Sequence, residues 1–454
     1  MHMIEDVDAV VIGLGPGGEK VAGDLAQAGL SVVGIDSGLV GGECPYWGCV
    51  PSKMMIRASN LIAEAKRVNG IAGSAHVTSD WAPVAARIRE EATDDWNDDV
   101  AVKRLVDKGC RFVRGRGQLT SPDTVVVGDH TFRASRAVVL ATGSSPAVPP
   151  IRGIGGTKYW TNHEAIEAEK LPDSLIVLGG GAIGVELAQV FARFGVGVTI
   201  VEATDRLLFQ DEPEVGELLA KVFKQESITT ITGIGATEIW HDGVAFHVAL
   251  ADQRSLSAER LLVATGRKVD LADIGADVLG IDPNGKSLPV DERLRVADGV
   301  WAVGDITGKG AFTHVAMYQA AIVVADILGN AHSTAEYNAV PRVTFTDPEV
   351  GAVGLSEAAA KEAGYDVRVA MALVSSSARG WIHKVGNEGF IKLVVDSKRD
   401  VLLGATSMGP HGGEVLGLLT LAVYAQVPIA RLRSMIYAYP TFHRGVEDAL
   451  RLLD

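Results

Sequence analysis

The chain has 454 residues, 47% of them apolar and 22% charged, with a formal charge of −14. That length is too great for one compact core and sets a prior of about three domains, while the acidic balance argues against a nucleic-acid partner. The longest apolar run, Val415 to Ala425, is too short to span a bilayer, and no charged-then-apolar leader precedes the first strand-like segment, so a cytoplasmic, reducing setting is expected.

Asp8 to Ile12 reads as a buried strand that runs directly into Gly13-Leu14-Gly15-Pro16-Gly17-Gly18 and then a helical segment to about Ala28. In such a strand, glycine turn and helix, Gly13 permits the tight turn. Gly15 lets backbone approach a pyrophosphate, and Gly18 lets the helix pack on the strand. A second strand, Ser31 to Ile35, ends in Asp36, placed to accept hydrogen bonds from a ribose hydroxyl.

Next comes Gly41-Gly42-Glu43-Cys44-Pro45-Tyr46-Trp47-Gly48-Cys49-Val50-Pro51-Ser52-Lys53, which holds two of the three cysteines. Thiols so close in a chain nearly free of others predict a bond that opens and closes. A structural disulfide is the weaker reading, because closing so short a loop removes little unfolded-state entropy. A zinc site is weaker still, since no second cysteine pair completes the ligand set. Residues five apart on a regular helix point about 140° away from each other, so the segment is not regular helix throughout. Pro45 and Gly48 supply the distortion, and Pro51 is expected to keep Val50 out of helical conformation. Lys53, one turn beyond Cys49 if a helix starts there, favours a nearby anion such as a thiolate; its plainer role is a solvated lysine.

A helical insertion is predicted at Ile56 to Lys66 and Ala82 to Lys108, with Asp94 to Asp99 as a solvated face, followed by strand-like Phe112-Val113 and Thr124 to Val127. Cys110 reads as a buried or incidental thiol. Two similar strand ends follow, Val138 to Gly143 and Leu261 to Gly266, with Thr142, Gly143 and Gly266 at their exits. Between them the opening unit recurs. Gly179, Gly181 and Gly184 repeat the spacing of Gly13, Gly15 and Gly18; Gly195 matches Gly29, and Glu202 matches Asp36. Two bound dinucleotides are therefore expected. Glu202 repels a 2′-phosphate, so the second site should prefer NADH over NADPH, with Arg206 as the residue that would reverse this.

Val300 to Val303 is an apolar strand ending in Gly304-Asp305. Asp305 suits a sugar or ribityl hydroxyl, or equally a helix cap. The helix expected from His314 to Leu328 points its N-terminus to whatever Asp305 touches. Beyond Pro341 the pattern changes to strands at Val343 to Phe345, Phe390 to Val395 and Leu402 to Ser407, with helices at Glu414 to Ala425 and Ile429 to Ile436. That composition fits a separate α+β domain.

Taken together these residues resemble the pyridine nucleotide-disulfide oxidoreductases, the group of dihydrolipoamide dehydrogenase, glutathione reductase and mercuric reductase, over essentially the whole chain. The resemblance implies an α/β fold with two Rossmann-like dinucleotide-binding domains and a C-terminal α+β dimerisation domain. The boundaries expected are 1–148 with 269–338 for FAD, 149–268 for the nicotinamide nucleotide, and 339–454 for dimerisation. It implies that Gly13, Gly15, Gly18, Asp36, Gly42, Lys53, Thr142, Gly143, Asp305 and Ala316 bind FAD, and that Gly179, Gly181, Gly184, Glu202 and Gly266 belong to the NADH site. Glu186 is then the glutamate that pairs with Lys53 beside the flavin. Cys49 faces the flavin and Cys44 exchanges with substrate. A homodimer is implied too, each active site borrowing residues from the partner's C-terminus, with no metal site and no membrane partner.

One departure bears on the substrate. Family members acting on disulfides carry a C-terminal His-Pro-Thr-x-x-Glu, in which the glutamate orients a proton-carrying imidazole. Here the stretch reads Tyr439-Pro440-Thr441-Phe442-His443-Arg444. Tyrosine, with an ordinary pKa near 10, is a poor base at neutral pH. His443 is the only nearby substitute, and a packing or surface role suits it better. Tyr46 and Trp47 predict a more closed or aromatic substrate face, and Ala182 a more open nicotinamide side. The expectation is an FAD-dependent, NADH-linked oxidoreductase acting on a disulfide, a quinone or a similar small acceptor. The alternatives are dihydrolipoamide dehydrogenase proper, a mercuric- or quinone-type reductase, and a redox-sensing flavoprotein with little turnover. No cysteine follows Cys110, which disfavours the mercuric reading.

Overall fold

A computed structural model describes residues 4–330 and 333–453. The chain divides into two compact units. One comprises the chain up to Pro51, Ala86–Ala147 and Arg267–Tyr337; the other comprises Ser52–Ala85, Val148–Gly266 and the chain from Asn338 onward.

The first unit is built on a sheet whose order runs Arg295–Ala297, Val300–Ala302, His130–Leu140, Ile4–Ile12, Val32–Asp36, Arg111–Arg114. Ile4–Ile12 pairs in parallel with strands on both sides. Its residues alternate between two cores: Ala9 and Val11 join Val21, Leu25 and Val323 on one face, and Val10 and Ile12 join Phe132, Val138 and Leu140 on the other. A strand buried on both faces shows an unbroken apolar run, which is why Ala9 to Ile12 is legible in sequence. Helix Pro16–Gln27 has its first proline where the amide lacks an intrahelical partner anyway.

The second unit contains a parallel sheet in the order Thr229–Thr232, Gly197–Glu202, Ser174–Leu178, Arg260–Val263. It also holds the antiparallel strands Ala236–His241, Phe246–Leu250 and Ser255–Ala258. From Asn338 onward a further antiparallel sheet runs Pro341–Thr344, Glu349–Gly354, Val401–Gly409, Phe390–Asp396, Val367–Leu373. Helix Gly412–Tyr424 covers it with Val415, Leu416, Leu419 and Val423.

Three local expectations are corrected. Helix Cys49–Arg67 begins at Cys49 and contains Val50 and Pro51. Proline is accommodated because first-turn amides need no intrahelical carbonyl. The predicted helix Ala82 to Lys108 is interrupted: a helical turn at Ala82–Arg87, a π-helical turn at Ile88–Ala92, then Asp94, Asp95 and Trp96 all with positive φ before helix Asp99–Asp107. Within this break Asp98 is buried, not solvated, and its carboxylate accepts the Val40 N–H at 2.6 Å. Among the described residues no helix is long and apolar enough to cross a membrane.

Candidate functional site

The two glycine turns repeat down to individual hydrogen bonds. Gly13 has φ +92° and a Cβ there would stand 2.4 Å from the Ala141 carbonyl oxygen; Gly179 has φ +108° and would stand 2.3 Å from that of Ala264. A Cβ on Gly18 would lie 1.9 Å from the Gly13 oxygen, and one on Gly184 would lie 2.1 Å from the Gly179 oxygen. Those four positions are glycine because the protein's own backbone occupies the space. Gly15 and Gly181 differ: each caps its helix with extended backbone, and a Cβ on either meets no protein atom within 4 Å. Space kept open in front of helix amides is what a pyrophosphate requires.

The acid ending each second strand holds its turn. Asp36 Oδ2 accepts the Leu14 N–H at 2.6 Å and Oδ1 the Gly38 N–H at 2.7 Å. Glu202 Oε2 accepts the Gly180 N–H at 2.5 Å and Oε1 the Thr204 N–H at 2.7 Å. Sequence reasoning placed both acids as ribose acceptors. The structure adds that they fix the glycine turns, with lone pairs left for a ribose. Burial raises the Asp36 pKa from its ordinary value despite these bonds.

In the first unit, the cysteine segment forms a short helix, Glu43–Tyr46, breaks at Trp47-Gly48 and restarts at Cys49. The break brings Cys44 and Cys49 together as thiols, Cys44 half-buried and Cys49 more exposed. Their mutual hydrogen bond, followed by burial, pushes the Cys44 thiol far above the ordinary cysteine range. Thr313 Oγ1 lies 3.4 Å from Cys49 Sγ and acts in the opposite sense on Cys44. Sequence reading missed Thr313. Gly42, with φ +65°, lets the segment pass the first turn: a Cβ on it would stand 2.9 Å from Gly15 Cα. Tyr46 turns inward, 6% exposed, its hydroxyl donating to the Val40 carbonyl at 3.2 Å, so it forms no part of a substrate face.

Asp305 sits in a polar cluster that sequence reading saw only in part. Ser144 Oγ donates to Asp305 Oδ2 at 2.5 Å, and Arg267 donates from Nε to Ser144 Oγ at 2.7 Å and from Nη2 to the Ser144 carbonyl at 2.6 Å. Arg267 Nη1 is also 3.7 Å from Glu43 Oε2, one residue before Cys44. Ser144 follows Thr142-Gly143 and Arg267 follows Gly266, so the strand exits were the signal for both. Ala316 is buried, its Cβ 3.2 Å from where one on Gly17 would stand, so it serves a close helix–helix approach. In helix Thr313–Ile327, Gln319 is fully buried and accepts the Gly304 N–H at 2.6 Å, fixing the backbone before Asp305.

In the second unit, Lys53 Nζ pairs with Glu186 Oε2 at 2.9 Å, and Glu186 Oε1 accepts the Phe345 N–H at 2.8 Å. Helix Ala182–Arg193 carries Glu186, while the long helix from Cys49 carries Lys53. The C-terminal stretch holds no hidden dyad at its expected place. Tyr439 is 69% exposed, and Arg444 lies over its ring at 5.3 Å. Arg444 is also paired with Glu447 at 3.1 Å and Asp448 at 3.5 Å. His443 Nε2 approaches Thr441 Oγ1 at 3.4 Å.

Residues 7–320 match the family model described as pyridine nucleotide-disulphide oxidoreductase, and residues 340–450 match that family's dimerisation domain. The chain belongs to the pyridine nucleotide-disulfide oxidoreductases. It is similar to a mercuric reductase of Bacillus cereus, 31% identical over 99% of this chain and 72% of the relative. It is also similar to a dihydrolipoyl dehydrogenase of Chlorobaculum tepidum, 33% identical over 97% of this chain and 96% of the relative. Among solved structures, the HOCl-induced flavoprotein disulfide reductase RclA of Escherichia coli, solved as a Cu(II) complex, superposes with a TM-score of 0.87 at 27% identity, covering 99% of this chain and all of that one. LpdA of Mycobacterium tuberculosis gives 0.85 at 26%, covering 98% and 99%.

Membership makes the chain an oxidoreductase that depends on FAD and uses a pyridine nucleotide. The fold is the α/β architecture expected, with FAD- and NAD-binding regions and a C-terminal dimerisation domain that supports a homodimer. The residues present fit these groups: one open glycine cradle faces a helix N-terminus in each unit, each with an acid at the following strand end.

Proposed function

We propose that this protein takes electrons from NADH, passes them to the Cys44–Cys49 pair, and delivers them to a small acceptor that does not depend on a histidine proton carrier, a quinone or a metal ion such as Cu(II). In this reading Gly13, Gly15, Gly18, Asp36, Gly42, Thr142, Gly143 and Asp305 hold FAD, and Gly179, Gly181, Gly184, Glu202 and Gly266 hold NADH. Bound flavin supplies a relay that accepts hydride and reduces a disulfide. The chain's own groups do the rest. Lys53, held by Glu186, is assigned the positive charge that favours an anionic reduced flavin or thiolate. The carboxylate of Glu202 disfavours a second phosphate on the ribose. Cys49 serves the flavin side and Cys44 the acceptor side, in a reducing, cytoplasmic setting.

The observation that carries the choice of acceptor is Tyr439 and Arg444 at the positions of the family's His and Glu, with Arg444 committed to Glu447 and Asp448. A missing acid–base residue lowers disulfide turnover by roughly a hundredfold or more, while leaving direct electron acceptors less affected. RclA, solved with Cu(II), supports including that ion among the acceptors. A second reading, dihydrolipoyl dehydrogenase, is favoured by the 33% identical relatives and by Glu202, and opposed by the absent dyad.

Turnover with NADH and NADPH against benzoquinone, Cu(II), lipoamide and glutathione disulfide tests the proposal. NADH with benzoquinone or Cu(II) should exceed NADH with either disulfide by about tenfold or more. Tyr439→His with Arg444→Glu should raise lipoamide turnover. Lipoamide as the best acceptor of the unaltered protein would overturn this reading, and a higher efficiency with NADPH would overturn the role of Glu202.

A further inference from the structure

Tyr46 lies between the two redox cysteines, yet its ring is buried and its hydroxyl reaches backward, donating to the Val40 carbonyl at 3.2 Å. The opposite side of the same residue is also held. The Val40 N–H donates to Asp98 Oδ2 at 2.6 Å, and that oxygen accepts Arg114 Nη2, also at 2.6 Å. Arg114 in turn donates to the Gly38 carbonyl and rests over the Phe112 ring at 4.6 Å. The next amide, Gly41 N–H, bonds the Leu14 carbonyl at 2.7 Å. Every strut ends on the loop 38–41, which leads straight into Cys44.

The chain goes to some length to bring Asp98 there. Asp98 stands at the N-cap of helix Asp99–Asp107 but makes no side-chain capping bond, so its carboxylate serves the loop instead of its own helix. It is reached through a π-helical turn and three consecutive residues with positive φ, Asp94, Asp95 and Trp96, conformations that L-residues adopt at a cost. Burial, with Asp98 nearby, raises the Tyr46 pKa, so its phenol remains a donor at neutral pH.

We propose that Tyr46, Asp98 and Arg114 form a brace behind the Cys44–Cys49 hairpin that holds the two sulfur atoms in bonding register and thereby stabilises their disulfide. A disulfide demands a narrow range of Cα separations and one dihedral family, whereas a dithiol does not. Loosening the hairpin therefore disfavours the disulfide more than the dithiol. These three are positioning residues; none of them takes part in the exchange. The inference rests on the pair being redox-active, as proposed above.

The test is the equilibrium of the FAD-loaded enzyme with glutathione. Reduced enzyme plus one glutathione disulfide gives the Cys44–Cys49 disulfide plus two glutathione thiols; the glutathione S–S bond breaks as the protein one forms, and both cysteine protons pass to glutathione. Acid quenching, alkylation and mass analysis give the constant. Tyr46→Phe and Asp98→Asn are each expected to lower it about three- to tenfold, the scale of one net hydrogen bond. Trp301→Phe, which deletes a buried 2.9 Å bond to Asp326 elsewhere in the same unit, should lower stability and leave the constant unchanged. Urea unfolding should show Tyr46→Phe destabilising the oxidised enzyme more than the reduced one. An unchanged or increased constant in Tyr46→Phe, which keeps the ring and so carries the test if Asp98→Asn does not fold, would overturn the brace. Failure of the unaltered enzyme to form the disulfide at all would instead overturn the redox reading of the pair.

Discussion

Glu186 divides its carboxylate between Lys53 and the Phe345 amide, one oxygen at 2.9 Å and the other at 2.8 Å, while the Lys53 ammonium stands 4.7 Å from the centre of the Phe345 ring. The glutamate is buried, but the lysine side chain is 36% exposed and can turn to water if released. Glu186→Gln keeps an oxygen for the amide and should cost about 1 kcal/mol of stability; Glu186→Leu leaves the Phe345 amide without its acceptor while Lys53 turns to water, and should cost about 1–3 kcal/mol. Urea unfolding checks the order. Both should slow flavin reduction by NADH, read by stopped-flow absorbance, if Lys53 must be held in place.

The glycine turns give a sharper contrast. Gly181→Ala puts a methyl group where no protein atom lies within 4 Å, at a backbone angle alanine tolerates. It should leave thermal stability unchanged or raise it by less than about 1 kcal/mol, while KM for NADH rises about tenfold. Gly184→Ala, whose methyl would lie 2.1 Å from a backbone oxygen, should fail to accumulate as folded protein. Equal behaviour of the two variants would contradict the assignment of Gly181 to the ligand.

Cys110 is 2% exposed, and burial pushes its thiol up to about 11. A neutral thiol is thus favoured in the folded chain, whereas an unfolded cysteine ionises near 8.5. The stabilisation is complete below the unfolded value and disappears as pH rises through the folded one. Unfolding free energy should therefore fall between about pH 8.5 and pH 11 by roughly 3 kcal/mol from this group, and Cys110→Val should flatten that part of the profile. At pH 8, iodoacetamide should modify the reduced Cys44–Cys49 pair and spare Cys110.

What the sequence reveals and conceals follows from the range of each interaction. Gly13 and Gly18 are legible because a positive φ at the first and a backbone oxygen five residues back from the second both demand glycine, and the interval between Cys44 and Cys49 because a helix cannot bridge it. The carboxylates of Asp36 and Glu202 were legible as acids at strand ends. Their grip on the Leu14 and Gly180 amides was not, since a ribose and an amide make the same demand on an oxygen. Asp98 looked solvated within an acidic run, and only a partner 58 positions away, Val40, reveals otherwise. Strand Val367–Leu373 escaped notice because its burial hardly alternates. Tyr46 was misassigned to the substrate face because a four-residue helix has no periodicity from which to read a direction.

The most direct test of the account is anaerobic titration of the FAD-loaded protein with NADH, following long-wavelength flavin–thiolate absorbance. One equivalent should produce that long-wavelength band with little bleaching of the oxidised flavin. Cys44→Ser should retain the band and Cys49→Ser should abolish it. Bleaching of the flavin by the first equivalent in the unaltered protein, with the same course in Cys49→Ser, would show that electrons bypass the two thiols and would contradict the account.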